Sequence, residues 1–241
     1  MDNLIDLHTH SVLSTHAFSS ITENIKVANE KGLKYYGTSE HQYDNSNVGV
    51  HHYAIHNLRV IPKNVNGTHI LKGTEFNILP GGAIDTVKIK REHIDYGIAS
   101  IHSFCYKDEG FEKNTEAYLN ALENEFITIL GHIDDDRYPC DYDRIVKRTK
   151  ELHKLIELNN TSLTPETTRI NSRENMIKII NSCIKYEQPL IINSDAHICY
   201  DVGNYELAYN LLKELNFPDS LLLNTNENLI KEYFDVEKVK N

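Results

Sequence analysis

The sequence is short of cysteine, of basic residues and of long apolar runs. Its four cysteines form no Cys-x-x-Cys pair, which argues against a disulfide framework and favours a reducing compartment. No apolar stretch approaches the ~20 residues of a membrane-spanning helix. The amino terminus leads into a predicted strand without the charged and then apolar leader of a secreted protein. We therefore expect a cytoplasmic protein.

Acidic residues outnumber basic ones by 35 to 25, which gives a formal net charge of -10. Such a surface repels a phosphate backbone, so the composition disfavours nucleic acid as a partner, and a small phosphorylated ligand needs a local positive site. No Pro-, Gly- or Ser-rich linker, repeat or low-complexity tract divides the chain. Residues 1–241 are therefore expected to form a single domain, whose oligomeric state the sequence leaves open.

Histidines are concentrated where predicted strands end. His8 and His10 follow a short apolar run, and residues two apart on a strand share a face, so the two rings should project together. Asp195 and His197 repeat this spacing after a second apolar run. We expect these two segments to meet in space.

Further histidines follow the same rule, and together they predict a metal site. A lone histidine on a strand is more often a satisfied core or surface residue than a ligand, but scattered surface histidines have no reason to follow strand ends. The predicted set contains seven of the 13 histidines and two carboxylates, namely His8, His10, His16, His41, Glu75, His102, His132, Asp195 and His197. Nine ligands suit two or three ions rather than one. Because the set has imidazoles and no thiolates, it favours Zn, Mn or Fe over Mg or Ca.

Predicted strands and helices alternate along the chain in about seven units. One helix begins with a capping box formed by Ser20 and Glu23, another is capped by Ser172, and a strand is predicted near residues 221–223. This alternation implies parallel strands with right-handed crossovers. Because polar residues follow at least six strand ends, we predict an α/β fold, a closed or nearly closed TIM-like (β/α)7 barrel with its site at the carboxyl ends of the strands. A doubly wound open sheet would use mainly one crevice.

The predicted cluster suits the hydrolysis of phosphate esters. Clustered divalent ions lower the pKa of a bound water to near neutral and can stabilise both the attacking and the leaving oxygen. Three ions would bring about +6 and the carboxylates of Glu75 and Asp195 about -2, which leaves an anion-seeking pocket. A nucleophilic mechanism has less support, because neither Ser194 nor any cysteine lies in a recognisable nucleophile motif.

The order of these motifs resembles the polymerase and histidinol phosphatase (PHP) family, and within it the stand-alone trinuclear-zinc phosphatases of the YcdX type. The matching segments are Asp6-Leu7-His8-Thr9-His10, Ser14-Thr15-His16-Ala17, Glu40-His41, Gly73-Thr74-Glu75, His102, Gly131-His132 and Ser194-Asp195-Ala196-His197. The resemblance implies a distorted seven-stranded (β/α) barrel and three divalent transition-metal ions, with Zn as the first choice and Mn or Fe as alternatives. It also implies that a metal-bridging hydroxide attacks phosphorus.

The resemblance divides the ligands among three ions. The implied sets are His8, His10, Glu75 and Asp195 for the first ion, Glu75, His102 and His132 for the second, and His16, His41 and His197 for the third. Glu75, Asp195 and His197 are the predicted catalytic residues. Glu40 and Ile133 depart from residues common in the family at their positions, which bears on substrate contacts more than on metal binding.

Four further residues are predicted to contact substrate. His52 and Arg59 lie in a long insertion between Gln42 and Thr68, which also contains His51, and long insertions in compact domains are often lids. A solvated loop is the alternative. Arg169 and Arg173 lie in a polar loop and could clamp a phosphate by bidentate hydrogen bonds, although exposed arginines with no role fit the sequence equally well.

The expected function is that of a metal-dependent phosphoesterase, a hydrolase that acts on a small-molecule phosphate monoester. A histidinol-phosphate phosphatase and a 3'-5' nuclease are alternatives within the family. A non-catalytic metal-binding module is the alternative from a different class. The sequence identifies neither the physiological substrate nor the group that protonates the leaving alcohol.

Overall fold

The computed structural model describes residues 3–42, 52–84, 86 and 89–234. In this part of the chain one sheet has the strand order β1-β2-β4-β5-β6-β7-β8, and β3 pairs only with β4. The strands are β1 (Ile5–Asp6), β2 (Tyr35–His41), β3 (Asn64–Val65), β4 (Thr68–Asn77), β5 (Tyr96–Ser100), β6 (Ile129–Leu130), β7 (Leu155–Asn159) and β8 (Leu190–Asn193). Every pair is parallel except β3 with β4. Seven parallel strands therefore form the body of the sheet.

The sheet nearly closes into a barrel between its first and last strands. Just beyond β1 and β8, Thr9 and Ala196 form a parallel bridge. The His10 N–H donates to the Ala196 carbonyl (2.8 Å), and the Ala196 N–H donates to the His8 carbonyl (3.3 Å). The segment after β1 thus lies beside the segment after β8, as the sequence predicted, and the predicted (β/α)7 barrel is confirmed.

Seven helices of the described residues accompany the strands. They are α1 (Ile21–Glu30), α2 (His52–Asn57), α3 (Phe111–Leu122), α4 (Tyr142–Glu151), α5 (Ser172–Tyr186), α6 (Glu206–Glu214) and α7 (Glu227–Tyr233). The predicted capping box of Ser20 and Glu23 is present at the start of α1. The cap predicted at Ser172 is wrong by one residue, because Asn171 precedes α5 in the left-handed conformation and Ser172 is its first helical residue. None of the helices in the described ranges is long and apolar enough to cross a membrane.

The inward-facing side chains change from apolar to polar along the strands. On β7, Leu155 belongs to the apolar core inside the barrel, and Glu157 and Asn159 follow it on the same face because side chains two apart share a face. On β4, Leu71 belongs to the same core and Glu75 follows four residues later. Apolar side chains therefore fill the amino ends of the strands, and polar side chains line the carboxyl ends.

Tyr96 fills the middle of the barrel beneath these polar side chains. Its side chain is fully buried, and its hydroxyl donates a hydrogen bond to the Leu7 carbonyl. A Cβ atom at Gly73 would lie 2.2 Å from Tyr96 Cζ, and one at Gly37 would lie 2.3 Å from the hydroxyl oxygen. The two glycines therefore make room for the aromatic ring on neighbouring strands.

The strand predicted near residues 221–223 is wrong. Leu221 and Leu223 belong to two short 3-10 turns, Asp219–Leu221 and Leu223–Thr225. Leu222 between them forms a single parallel bridge with Leu190 of β8 and no strand. The Asn224 side chain supplies the hydrogen bonds that a strand would have made to β8, since its Oδ1 accepts from the Ile192 N–H (2.7 Å) and its Nδ2 donates to the Ile192 carbonyl (2.8 Å). One side-chain amide thus completes the edge of the sheet at this point.

Candidate active site

All nine predicted side chains lie together at the carboxyl ends of the strands, and Glu75 lies at their centre. Its carboxylate oxygens come within 3.6 Å of a ring nitrogen from five histidines. The distances are 3.3 Å to His8 Nε2, 3.6 Å to His10 Nε2, 2.8 Å to His41 Nδ1, 3.3 Å to His102 Nε2 and 3.0 Å to His132 Nε2. The structure therefore brings together the residues that the sequence predicted as ligands.

Asp195 connects the two histidines of the first motif to the last motif. Its Oδ1 lies 3.5 Å from His8 Nε2 and 3.3 Å from His10 Nε2. Its Oδ2 accepts hydrogen bonds from Arg169 (3.2 Å) and from the Asn159 side-chain amide (3.1 Å). The carboxylate is thus shared between the histidine cluster and a guanidinium.

His16 and His197 form the solvent-facing end of the cluster. Each Nδ1–H donates to a backbone carbonyl, that of Ser14 (2.8 Å) for His16 and that of Asp195 (3.0 Å) for His197. A carbonyl only accepts, so Nδ1 carries the proton and each Nε2 of the neutral ring has a lone pair. The two Nε2 atoms lie 2.8 Å apart. At that distance the lone pairs repel unless a proton or a metal ion interacts with them.

His8 and His102 are oriented in the same way by side chains. The His8 Nδ1 lies 2.6 Å from a Glu157 carboxylate oxygen, and the His102 Nδ1 lies 2.8 Å from the Asn77 amide oxygen. The protons on these Nδ1 atoms leave the Nε2 atoms directed at Glu75. Such second hydrogen bonds fix the tautomer and the ring orientation of histidines that bind metal.

Several buried atoms of the cluster have no hydrogen-bond partner among the described residues. They are His8 Nε2, both ring nitrogens of His10 and of His41, and Glu75 Oε2. His41 Nδ1 and Glu75 Oε2 lie 2.8 Å apart but not at the angle of a hydrogen bond. A buried polar atom left unpaired costs about 1–3 kcal/mol, so their concentration in one place favours a cation that accepts their lone pairs. Three sets of ligand atoms, each within 4.8 Å of one another, could hold one, namely those of His10, His41 and His197, of His8, His10 and Glu75, and of His41, Glu75 and His102.

Glu157 is a functional candidate that the sequence reasoning missed. It is almost fully buried, and besides contacting His8 it accepts hydrogen bonds from the His132 backbone N–H (2.8 Å) and from the side-chain amides of Asn159 (3.1 Å) and Asn193 (2.9 Å). Its signal in the sequence is a charged residue in the middle of the apolar strand β7. A buried carboxylate at that position needs several donors.

Burial and neighbouring charges together shift the pKa values of the buried groups. Burial alone would raise the pKa of Glu75, but His8, His41 and His102 hold it well below its ordinary value. Burial alone would lower the pKa of His8, but Glu157, Glu75 and Asp195 raise it well above 6.5. Burial and the neighbouring His41 lower the pKa of His10 well below 6.5. The site therefore presents ionised carboxylates and a neutral His10 at neutral pH.

Backbone strain is present at three residues around the cluster. His132, Asp195 and Thr15 have φ angles of 28°, 54° and 66°, which non-glycine residues rarely adopt. The Glu157 carboxylate accepts from the backbone N–H of His132 and so stabilises one of these conformations. Strain of this kind, held in place by its surroundings, is concentrated at functional sites.

A cavity of about 350 Å³ opens onto the cluster, and the four predicted substrate contacts differ in their relation to it. Arg169 lines the cavity together with His41, Glu75, His102 and other cluster residues. Arg173 does not line it, since its guanidinium pairs with Glu214 (2.6 Å) and it lines a different cavity. The structure thus places Arg169, and not Arg173, beside the histidines.

The residues of the insertion lie away from this cavity as far as the structure describes them. His52 begins α2 and contacts the Tyr53 ring, and Arg59 is exposed in the turn that follows. Neither residue lines the cavity at the cluster. His51 lies outside the described residues.

Comparisons with known proteins agree with this architecture. The chain is 37% identical over 234 residues to a protein of Clostridium botulinum (strain Langeland) named probable phosphatase, covering 97% of this chain and 95% of the relative. It is 38% identical over 243 residues to a probable phosphatase of Clostridium acetobutylicum, covering 100% and 98%.

Among solved structures, the fold is similar to that of histidinol phosphate phosphatase from Lactococcus lactis, which was crystallised with zinc, L-histidinol and phosphate. That likeness has a TM-score of 0.59 at 18% identity and covers 90% of this chain and 95% of the other. The PHP domain family model matches residues 6–164. With relatives of this identity along nearly its whole length, the chain belongs to the PHP family and is one of its phosphatases.

Proposed function

We propose that this phosphatase is a metal-dependent phosphomonoesterase that acts on a small molecule, with the whole chain as one catalytic domain. The observation that carries the proposal is the concentration of buried, unpaired ring nitrogens around Glu75, together with the two Nε2 atoms of His16 and His197 that face each other at 2.8 Å. Cations shared among these atoms are their simplest partners, and the anion-seeking site that such cations create suits a phosphate group.

The proposed cofactor is a set of three divalent transition-metal ions, most simply Zn. Their ligands would be His8, His10, Glu75 and Asp195 for the first ion, Glu75, His102 and His132 for the second, and His16, His41 and His197 for the third. Imidazole with carboxylate is the donor set that Zn, Mn and Fe share. When bound, such ions supply a water of lowered pKa and stabilise negative charge on phosphoryl oxygens.

The chain's own residues would orient the phosphate ester. The Arg169 guanidinium is held by Asp195 (3.2 Å) and by the Ser162 hydroxyl (2.9 Å), and only 15% of its side chain is exposed. Burial alone would lower the pKa of Arg169, but Asp195 and Asp134 raise it, so the charge persists. A fixed guanidinium beside the cluster can donate two parallel hydrogen bonds to a phosphoryl group.

A test pairs metal content with turnover. Elemental analysis of protein purified without chelator should give close to three transition-metal ions per chain, and chelation should abolish hydrolysis of phenyl phosphate until Zn or Mn is restored. Glu75→Gln should lose metal and lower turnover by at least about a hundredfold, because the central anionic ligand is gone. The exposed Glu151→Gln on α4 is the matched control and should behave as the parent protein.

Zero or one ion with no turnover after metal is restored would overturn the proposal and favour a non-catalytic module. Substrate panels separate the remaining alternatives. A wide preference for histidinol phosphate over sugar and nucleotide phosphates would identify a histidinol-phosphate phosphatase. Degradation of single-stranded oligonucleotides would identify a nuclease, which the net charge of -10 disfavours.

A further inference from the structure

A second cavity lies beside the histidine cluster. Part of its lining is neither a proposed metal ligand nor Arg169. Its volume is about 320 Å³, and it shares His102, His132 and Arg169 with the cavity over the cluster. Asp135, Arg137 and Glu166 line this cavity and not the one over the cluster, and Phe104 lines both. A molecule whose phosphate lies at the cluster therefore has one continuous space for the rest of its structure.

Phe104 gives this space a flat apolar wall. Its ring stacks on His102 with the centroids 5.2 Å apart and the planes within 3° of parallel. His102 in turn is fixed by its hydrogen bond to Asn77. Phe104 is nevertheless 43% exposed. An aromatic face that is held in place and left in contact with solvent beside a reacting centre suits a planar or apolar group.

Arg137 places an anchored guanidinium in the same space, with Asp135 as its counter-charge. Its Nε and Nη2 donate to Asp135 Oδ2 at 2.7 and 2.5 Å, and its backbone N–H donates to Asp135 Oδ1 at 3.0 Å. The Ile170 N–H donates to the same carboxylate (3.2 Å), which is 5% exposed. The guanidinium is therefore held by a buried anchor while 35% of its side chain remains exposed. A guanidinium held in this way loses little rotamer freedom when it binds an anion.

Three carboxylates also line this cavity, those of Asp135, Glu166 and Asp195. Asp135 and Asp195 are paired with Arg137 and Arg169, which leaves Glu166 as the competing charge. It lies on the same wall as Thr167 and Arg169, but its side chain is exposed at the rim. An exposed carboxylate discriminates between ligands of different charge less than an anchored guanidinium does. Solvent screens the carboxylate, and its rotamers must be ordered when a ligand binds. We therefore expect the anchored guanidinium to contribute more to ligand preference than Glu166 does.

We propose that this cavity binds the leaving group of the phosphate ester, and that the preferred leaving group combines a flat apolar part against Phe104 with an anionic end at Arg137. The proposal rests on the proposed phosphomonoesterase function of the neighbouring cluster and specifies its substrate class. A carboxylate and a second phosphate share the chemistry that Arg137 recognises.

The test uses phenyl phosphates with one para substituent of similar size and different charge, namely carboxylate, carboxamide and aminomethyl. A fourth ester carries a second phosphate at the para position. The holoenzyme should show its highest kcat/KM with an anionic substituent, and the carboxylate and bisphosphate esters distinguish the two anions. Intrinsic differences in leaving-group reactivity cancel when each substrate ratio is compared between the parent protein and a variant.

Arg137→Gln should lower the carboxylate-to-carboxamide ratio of kcat/KM about tenfold, the size expected for one charged hydrogen-bonding contact, and should leave carboxamide turnover within about twofold. Arg144→Gln, at an arginine paired with Glu112 on another face, should change neither. Phe104→Ala should raise KM for all four esters, whereas Phe111→Ala, at another exposed phenylalanine, should not. Melting temperatures of the four variants show whether each remains folded.

An unchanged carboxylate-to-carboxamide ratio in folded Arg137→Gln would overturn the proposal, as would a preference of the parent protein for the aminomethyl ester. If no ester is hydrolysed by metal-loaded parent protein, the proposed phosphomonoesterase function itself fails. The two failures are therefore separable in one set of assays.

Discussion

The inner and outer ends of the histidine cluster differ in how the chain holds their rings. At the inner end His8 is fully buried and its Nδ1 is fixed by the buried Glu157 carboxylate, which three further donors hold in place. At the outer end His16 is exposed, the His197 side chain is 32% exposed, and each ring is oriented by one backbone carbonyl. The inner end is therefore an ordered network, and the outer end is a pair of rings near solvent.

This difference indicates that the two ends of the cluster have different roles in metal binding. A buried carboxylate that accepts from several donors, as Glu157 does, is rigid, and it keeps a ligand in place before metal binds. Rings near solvent lose little on release, since water replaces the lost contacts. We therefore expect the inner end to determine affinity for metal and the outer end to exchange its ion readily.

The largest effect in this comparison is expected from Glu157→Gln. The glutamine amide would direct a donor at the N–H groups of His132, Asn159 or Asn193, or at His8 Nδ1–H, so at least one buried donor would lose its acceptor. Metal affinity should fall about 10–100-fold, and the metal-free protein should lose about 1–3 kcal/mol of unfolding free energy. Competition with a fluorescent chelator and denaturant titration measure the two effects.

Glu151→Gln serves as the control for Glu157→Gln, because Glu151 is exposed on α4 and pairs only with Arg148 among the described residues. If Glu157→Gln binds metal as tightly as the parent protein does, the inner network has no part in metal affinity. The proposed difference in role between the two ends would then be wrong.

A smaller and more selective effect is expected from His16→Asn. The variant should bind about one ion fewer per chain and retain the ions of the inner end. Because His16 is exposed, the melting temperature of the metal-free protein should change by no more than about 2 °C. Elemental analysis after gel filtration gives the ion count, with His153→Asn, at an exposed histidine stacked on Tyr233, as the control. Loss of all ions at once would show that the two ends bind metal cooperatively.

The set of candidate metal ligands and the barrel could be predicted from sequence because their signals are local. His8 and His10, and likewise Asp195 and His197, show the two-residue spacing after an apolar run, and that spacing alone predicted that the two segments meet at the bridge between Thr9 and Ala196. Hydrophobic periodicity and the ends of strands are visible within short stretches of sequence, so a single sequence is enough to recognise them.

Glu157 and Asn224 could not be predicted because their partners are distant in the chain. Glu157 lies 149 residues from His8, and within its own strand it is a single charged residue between Ile156 and Leu158. The Asn224 amide takes the place of a strand because the Ile192 N–H and carbonyl, at the edge strand β8, bond to it. From the sequence, Arg169 and Arg173 were equally good candidates for contacting a phosphate. The structure distinguishes them, because Arg173 pairs with Glu214 on α6.

The smallest effect in the comparison is on protonation. Within the inner end, His8 and His10 have pKa values shifted in opposite directions. Burial alone would lower the pKa of His8, but Glu157, Glu75 and Asp195 raise it above its ordinary 6.5 in the metal-free protein, whereas burial and His41 lower that of His10. The contribution of His8 to stability is then fully present below about pH 6.5 and is lost as the pH rises through its folded pKa. The contribution of His10 has the opposite sign, since it is present above about pH 6.5 and declines as the pH falls.

Nitrogen-15 spectra of the imidazole rings test this assignment directly. In metal-free protein at pH 7.5, His8 should give the signals of an imidazolium and His10 those of a neutral ring, with His8→Gln providing the assignment. Metal must displace the proton on His8, so titration with Zn should convert that signal to a neutral, ligated ring and release protons into a weak buffer. A neutral His8 at pH 7.5 before metal is added would mean that the Glu157 and Glu75 carboxylates do not hold a proton at the inner end. Its order would then come from hydrogen bonds alone.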